Sequence, residues 1–298
     1  MPTLREVRSR ISGVKKTEKI TRAMKMVAVA KLRRAQTAVL AARPYDEGMR
    51  RLLQHLLPAV DMAGQPLLTA RPVRTTGIIV VTSDRGMCGA FNTNIIRATQ
   101  EQIAGIGKAA GPQERPRLYC VGKKGADFFT RQHMTLAARY TGLFVKLRFA
   151  EARKVTHELT DAYLRGEVDR VLLVYNEFKS AAVQRIVVEQ YLPLLPAAAE
   201  PVQDAVTRRI PDYIYEPSQQ ALIAALLPRY LNFRLWRALL ESNASEEGAR
   251  MTAMENATEN ANELISSLQL QYNKARQAAI TKELLEVVSG AEALRGAS

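Results

Sequence analysis

Residues 251–279 read MTAMENATENANELISSLQLQYNKARQAA, and small or apolar side chains recur there at alternating spacings of three and four residues. The stripe consists of Met251, Met254, Thr258, Ala261, Ile265, Leu268, Tyr272, Ala275 and Ala279. So narrow a stripe is typical of a coiled-coil seam, whereas a helix that packs on a globular core carries a wider apolar face. The stretch contains no Gly or Pro. The sequence therefore predicts a long helix that pairs with one other helix.

The N-terminus supplies the predicted partner helix. Thr3 and Glu6 have the spacing of a capping box, and residues 3–43 have helical periodicity. Their stripe is expected to comprise Leu4, Val7, Ile11 and Val14, then Ile20, Met24 and Val27, then Ala28, Leu32, Ala35 and Val39. We expect Pro44 to kink this helix and a shorter helical piece to reach Leu57. Segments 1–57 and 218–298 are thus predicted to form a long antiparallel coiled coil.

The two chain ends have complementary charge. The whole chain has a net charge of +14, and residues 1–57 contain 14 Lys and Arg against 4 Asp and Glu. Residues 241–298 contain 5 against 9. This complementarity favours pairing of the ends, although each exposed ion pair contributes only a few tenths of a kcal/mol. The remaining basic surface fits nucleic acid, anionic lipid or an acidic protein.

The middle of the chain has the pattern of an α/β domain. Short β-branched runs predict strands at 77–82, 117–121, 171–175 and 182–191, and helical stretches lie near 92–104, 123–132 and 150–165. Alternating strands and helices predict a compact, Rossmann-like α/β domain at 77–192 with a mainly parallel sheet.

Segments rich in proline or glycine flank this domain. Residues 58–76 and 193–217 are predicted linkers. In the helix that follows the second linker, Pro228 is expected to bend or break the chain, and Gly248 to weaken it.

Composition excludes several classes of protein. No run approaches the ~18 apolar residues that span a bilayer. Cys88 and Cys120 lack metal or redox spacing, and the three histidines, His55, His133 and His157, are scattered. We therefore expect no metal, no cofactor and no disulfide framework.

Two strand-to-helix turns are candidate anion sites. Residues 82–92, TSDRGMCGAFN, could cradle a phosphate through Gly86 and Gly89, yet they match neither the dinucleotide fingerprint nor a P-loop. A tight turn is the favoured interpretation, and Cys88 as a nucleophile is disfavoured because no His lies nearby. Residues 122–125, GKKG, could likewise touch anions, with a solvated loop favoured.

The basic N-terminal helix leaves three interpretations open. It could be a cleaved presequence, a DNA-binding basic region, or one helix of a two-helix rod that faces an acidic partner. Glu6, Glu18 and the continuous stripe count against a leader. The DNA-binding interpretation corresponds to a basic coiled-coil nucleic-acid binder, and a nucleotide enzyme with helical arms is a further alternative. We favour the rod.

The apolar pattern broadens at the C-terminal end. Leu284, Leu285, Val287 and Val288 lie on several faces of the predicted helix. A helix end that is apolar nearly all round must be enclosed. We expect other subunits to enclose it.

These motifs resemble the gamma subunit of F-type ATP synthases from end to end. The resemblance is carried by Ile20–Ala28 with Ala30–Arg33, by the 82–92 turn, by Arg250–Met254 and by Ile280–Ala291. It implies a central rotor shaft without bond chemistry of its own. Proton-driven rotation of the c-ring would turn this shaft and drive ATP synthesis at the beta-subunit sites.

The resemblance also implies partners for particular residues. Met24, Lys25, Arg250, Arg276, Gln277 and Thr281 match beta-subunit contacts, Tyr213 and Glu216 match contacts to epsilon and the c-ring, and Leu284, Leu285, Val287 and Val288 match an apolar bearing inside the ring of alpha and beta subunits. No nucleic-acid partner is implied.

The expected location is peripheral, on the cytoplasmic face of a bacterial inner membrane, held through the c-ring. The chloroplast cysteine loop is absent, so thiol control is not expected. Pro228 departs from the helix expected in the family.

Overall fold

The computed structural model describes residues 3–57, 64–109, 115–181, 183–194, 215–216 and 218–296. Two long helices bracket a mixed succession of strands and helices. The elements in chain order are α1 (Leu4–Leu56), β1 (Thr75–Val81), α2 (Phe91–Ala109), β2 (Arg115–Val121), α3 (Lys123–Arg131), β3 (Leu136–Tyr140), a short 3₁₀ turn (Leu143–Val145), α4 (Phe149–Leu164), β4 (Arg170–Phe178), β5 (Gln184–Leu192) and α5 (Gln219–Gly296).

The five strands form one sheet in the order β3-β2-β1-β4-β5. The pairs β1–β2, β1–β4 and β2–β3 are parallel, and β4–β5 is antiparallel. The predicted α/β class with a mainly parallel sheet is confirmed. The sequence analysis missed β3, because this edge strand reads LAARY and alternates half-buried with exposed side chains, so it lacks the apolar run that marked the central strands.

The core lies on both faces of the sheet. Ile79 and Val81 of β1 pack in a cluster with apolar residues of α1, α4 and α5, whereas Ile78 and Val80 pack in a second cluster with α2 and α3. All four side chains are fully buried. Successive residues of a strand point to opposite faces, so a continuous β-branched run is what a sheet covered on both sides requires.

Neither internal proline interrupts its helix. α1 runs for 53 residues through Pro44, and α5 runs for 78 residues through Pro228. Of the two effects expected of Pro228, a bend or a break, the break does not occur, because α5 is continuous through it. An interior proline costs about 3 kcal/mol. Burial of neighbouring apolar side chains, about 1.5–3 kcal/mol each, offsets that cost, and Ile223, Leu227 and Leu231 are all buried around Pro228.

The chain divides into two compact units. The paired-helix unit comprises Met1–Ala28 and Met251–Ser298, and the sheet unit comprises Val29–Arg250. The boundaries therefore fall inside the long helices rather than at the predicted linkers. The reason is that Met49, Leu53 and Leu56 of α1, like the start of α5, are buried in the core of the sheet unit.

In the paired-helix unit, the α5 stripe is the buried face of the helix. Met254, Ala261 and Leu268 are 6%, 7% and 6% exposed, and the other predicted stripe positions are half-buried. Leu264 and Leu270, which lie off the stripe, are exposed. The predicted seam is confirmed.

The α1 seam differs from its prediction over one stretch. The strict three-four alternation continues from Val14 through Glu18 and Thr21, which are 7% and 8% exposed, whereas Ile20 and Val27 are 60% and 57% exposed. The expectation that Ile20 and Val27 belong to the stripe was wrong, because spacing decides which side chains face the partner helix even where polar residues occupy those positions.

Polar contacts across the seam show the direction in which the two helices pair. The hydroxyls of Thr21 and Thr258 are 2.8 Å apart, and Lys25 Nζ lies 2.5 Å from Glu255 Oε1. Partner numbers fall along α5 as they rise along α1, so the pair is antiparallel, as predicted.

Candidate partner interface

The last turns of α5 extend past the start of α1. The register set by the contacts of Thr21 and Lys25 places Leu4, the first residue of α1, opposite approximately Ala275. Every described side chain from 280 to 291 is exposed. We call residues 276–291 the tip segment. Within the described part of the chain, the tip segment has no helix of its own unit to pack on.

Apolar residues are concentrated in this segment. Leu284, Leu285, Val287 and Val288 are 60%, 61%, 70% and 53% exposed. Together they form an uncovered apolar surface on several sides of the helix. Contiguous exposed apolar surface of this kind marks an interaction site.

Polar candidates lie at the base of the tip segment. Arg276, Gln277 and Thr281 are exposed, and the Thr281 hydroxyl donates a hydrogen bond of 2.9 Å to the Gln277 carbonyl of its own helix. No described residue contacts the side-chain polar atoms of Arg276 or Gln277. These two side chains are therefore free to bind another chain.

The α1 candidates are partly engaged within the paired-helix unit. Met24 is half-buried, and the Lys25 side chain is 36% exposed while it pairs with Glu255. A partner carboxylate would therefore compete with Glu255 for Lys25.

Arg250 is used by its own chain. Its side chain is 9% exposed, with Nη2 2.5 Å from Glu246 Oε1 and Nη1 2.9 Å from Glu247 Oε1. Nη2 also lies 3.5 Å from the Gly86 carbonyl oxygen. The residue holds α5 to the turn after β1, and the predicted beta-subunit contact stays a prediction.

The predicted foot contacts are only partly described. Glu216 is exposed, and Tyr213 lies outside the described residues.

An outward apolar surface on α1 was missed from the sequence. Ile20, Met26 and Val27 are 60%, 65% and 57% exposed. A strict count of the three-four alternation through Glu18 and Thr21 would have placed all three off the seam. They are further candidates for contact with a surrounding subunit.

A carboxylate of the 82–92 turn fills the second candidate anion site, the turn at 122–125. Asp84 Oδ1 accepts hydrogen bonds from the backbone N–H groups of Lys123, at the start of α3, and Gly142, at 3.0 and 2.9 Å. This carboxylate thus occupies the place where an anion would sit at the N-terminus of α3. Cys88 is 1% exposed and burial raises the pKa of its thiol, so it is a poor nucleophile.

The crevice beside β1 and β4, where open α/β sheets bind nucleotides, is filled by α5. The Ser242 hydroxyl accepts the Asn176 N–H at 3.2 Å, and Glu241 Oε2 accepts the Phe178 N–H at 2.9 Å. Gly248 packs so closely that a Cβ there would lie 3.1 Å from the Ala181 carbonyl oxygen. These contacts favour a tight turn and a structural role over a nucleotide site.

The described residues hold neither a metal-binding cluster nor a membrane-spanning helix. No group of three or more His, Cys, Asp or Glu side chains is placed to hold a metal ion in that part of the chain. No helix among the described residues is both long enough and apolar enough to cross a membrane.

Comparisons with known proteins agree with one another. The family model described as ATP synthase matches residues 3–294. The chain is 48% identical to the ATP synthase gamma chain of Chloroherpeton thalassium, over 99% of both chains. It is 49% identical to that of an Anaeromyxobacter strain, over 99% of this chain and all of the relative.

Solved structures share the fold. A chain of the Euglena gracilis mitochondrial ATP synthase, in an assembly of OSCP, F1 and c-ring, aligns with a TM-score of 0.68 at 24% identity, over 98% of this chain and 94% of its own. A chain of the Tetrahymena thermophila central stalk and c-ring aligns with a TM-score of 0.58 at 26% identity, over 80% of this chain and 99% of its own.

Proposed function

From the premise that this chain belongs to the ATP synthase gamma-chain family, we propose that it couples rotation of a proton-driven c-ring to sequential ATP synthesis at beta-subunit sites. As a gamma subunit it is part of the central stalk and is not itself catalytic. It acts as the shaft of the motor, peripheral to the cytoplasmic face of a bacterial inner membrane and held there through the c-ring.

The exposed tip segment is the observation that carries the proposal. A shaft that turns inside a sleeve needs apolar contact with it, since directional hydrogen bonds of about 1 kcal/mol each would favour one angle. Leu284, Leu285, Val287 and Val288 supply such a surface. The ring of alpha and beta subunits is the sleeve that covers it.

Polar contacts below the tip transmit force at particular angles. Arg276 and Gln277 are free to bind beta-subunit loops, with Thr281 one turn further on. Met24, Lys25 and Arg250 face the beta levers as rotation brings them past. Tyr213 and Glu216 contact epsilon and the c-ring.

Reconstitution of an alpha-beta ring tests the proposal. With the full chain, we expect the ring to assemble and a probe on the sheet unit to rotate in one direction. A variant with Leu284, Leu285, Val287 and Val288 changed to Ser should lose most of its torque. The matched control changes four exposed polar residues of the same helix to Ser: Asn262, Gln269, Gln271 and Lys274.

The results distinguish a bearing role of the tip segment from a general loss of helix stability. Equal torque for the tip variant and the control would overturn the role of the tip segment. A full chain that neither joins the ring nor alters its ATP turnover would overturn the shaft function itself.

Arg276→Ala tests one of the proposed polar contacts with the beta subunit. The residue lies off the seam, so we expect ATP synthesis per rotation to fall while the helicity of the chain is unchanged. Lys274→Ala, exposed on the same turn, is the control. Loss of helicity with unchanged coupling would show that Arg276 is a structural residue instead.

A further inference from the structure

The sheet unit contains a cleft, with Arg250 in its lining, to which the shaft function assigns no small ligand. Its volume is about 710 Å³, within the range of small-molecule sites. Residues of α1, of the turn after β1, of the 143–147 segment and of α5 line it. We call it the α1–α5 cleft.

Apolar and aromatic side chains form much of its wall. They are Phe144, Val145 and Leu147 of the 143–147 segment, with Trp236 and Leu240 of α5. Val145 is 74% exposed, an unusual exposure for a large apolar residue beside an aromatic wall. The cleft can therefore cover the apolar body of a ligand.

Two arginines that line the cleft form no ion pair within the described part of the chain. Lys31 Nζ and Arg250 Nη1 lie 3.3 and 2.9 Å from the same Glu247 oxygen, and Arg250 also binds Glu246. Arg34 and Arg85 are exposed and have no carboxylate partner among the described residues. An unpaired guanidinium presents a planar fork that matches a carboxylate or sulfonate.

The acidic residues of the cleft do not cancel this positive charge. Asp84 already accepts two backbone N–H groups through Oδ1, and Glu247 is shared by two cations. Burial raises the pKa of Glu246 to about 7, so its negative charge is only partial near neutral pH.

We propose that the α1–α5 cleft binds a small amphiphilic anion, with its carboxylate or sulfonate on Arg34 and Arg85 and its apolar body against Phe144 and Trp236. The occupant would contact α1, α5 and the turn after β1 at once. It would therefore stabilise the packing of those elements in the sheet unit.

Trp236 provides a direct readout, because it is the only tryptophan in the chain. Full-length protein would be titrated with anilinonaphthalene sulfonate and, separately, with phenylnaphthylamine, which has the same rings without the sulfonate. We expect saturable quenching of Trp236 fluorescence by the sulfonate at one site. The neutral compound should bind roughly tenfold more weakly, the effect of losing one charge-assisted interaction.

Variants locate the site. Arg34→Gln with Arg85→Gln should weaken sulfonate binding about tenfold and leave the neutral compound unchanged. Ala38→Phe, which fills the cleft from α1, should abolish quenching by both. Arg97→Gln with Arg153→Gln, two exposed arginines outside the cleft lining, is the charge-matched control.

Three results would overturn the proposal. Equal affinity for the two compounds would show simple apolar partition. Undiminished quenching in Ala38→Phe, with an unchanged circular dichroism spectrum, would place the dye elsewhere. Equal weakening by Arg97→Gln with Arg153→Gln would show that the effect depends on net charge alone.

Discussion

Gly122→Ala should destabilise the sheet unit far more than the same change at Gly142. Gly122 has φ +93° and ψ 144°, in a region that only glycine populates readily, and Gly142 has φ +81°. Both substitutions incur the strain of a side chain at positive φ, at least about 1–2 kcal/mol. This strain is greater at Gly122, because ψ 144° lies outside the left-handed region that Gly142 occupies at ψ 0°, so it adds to the expected difference.

Steric overlap distinguishes the two positions. A Cβ on Gly122 would lie 2.1 Å from the Thr82 carbonyl oxygen and 2.9 Å from Thr82 Oγ1, whereas Gly142 has nothing within 4 Å. Thr82 cannot easily move, because its hydroxyl donates to Val121 O at 3.0 Å and accepts from Gly125 N–H at 2.9 Å. Overpacking of this kind adds about 1–3 kcal/mol. The expected totals are about 2–5 kcal/mol for Gly122→Ala and about 1–2 kcal/mol for Gly142→Ala.

Urea denaturation followed by fluorescence measures the difference. Trp236 packs against the core of the sheet unit, so its emission reports unfolding of that unit. With a slope of about 2–3 kcal/mol per molar urea, the midpoint should fall by about 1–2 M for Gly122→Ala and about half a molar for Gly142→Ala. Equal shifts would refute the steric argument, since strain alone would then account for both. If the Gly122→Ala protein is already unfolded without urea, its loss of stability exceeds this range.

Three further predictions concern the seam, a buried carboxyl group and a helix contact. Thr21→Val and Thr258→Val should each cost about 1 kcal/mol because each removes the hydrogen bond between the two hydroxyls, while the remaining hydroxyl keeps its bond to a carbonyl of its own helix. Since both changes remove the same interaction, the double variant should cost no more than either single one by thermal melting; additive losses would contradict this. Burial raises the pKa of Glu246, so the folded state holds an extra proton and its stability should fall as pH rises from about 4.5 to 7. Glu246→Gln should reduce this loss of stability by up to about 3 kcal/mol, as measured by urea titration at each pH. A variant whose stability changes with pH just as that of the original protein does would contradict this. Gly248→Ala should lower the melting temperature because Ala181 is too close, whereas Gly105→Ala, in open space on α2, should raise it; a rise for both would show that Ala181 yields.

Local patterns predicted most of the fold, and they failed where contacts at a distance decide. The three-four stripe in 251–279 and the β-branched runs identified the seam and the central strands from spacing alone. β3 escaped because an edge strand is only half-covered and carries no apolar run. The sequence analysis overestimated the effect of Pro228 on α5. The cost of an interior proline can be read from the sequence, whereas the burial of Ile223 and Leu231 that offsets this cost cannot.

At the candidate interface, too, some features were predictable from local sequence and others were not. Exposure of Leu284 and Leu285 followed from apolar residues on several faces of one helix, which is a local property. The burial of Arg250 beside the Gly86 carbonyl depends on which face of α5 meets the turn after β1. Glu18 and Thr21, by contrast, occupy the seam for a local reason: helical spacing turns them toward α5 whatever their polarity.

The sequence by itself determined the two long helices, the four strands with apolar runs, the narrow seam of α5, and where an apolar helix end would need a cover. Tertiary structure alone decided the hydrogen bond between Thr21 and Thr258, the filling of the nucleotide crevice by α5, and the cleft between α1 and α5. The physical reason is range. Periodicity and propensity act over a few residues, whereas burial and pairing arise only when segments some 200 residues apart in the chain are packed together.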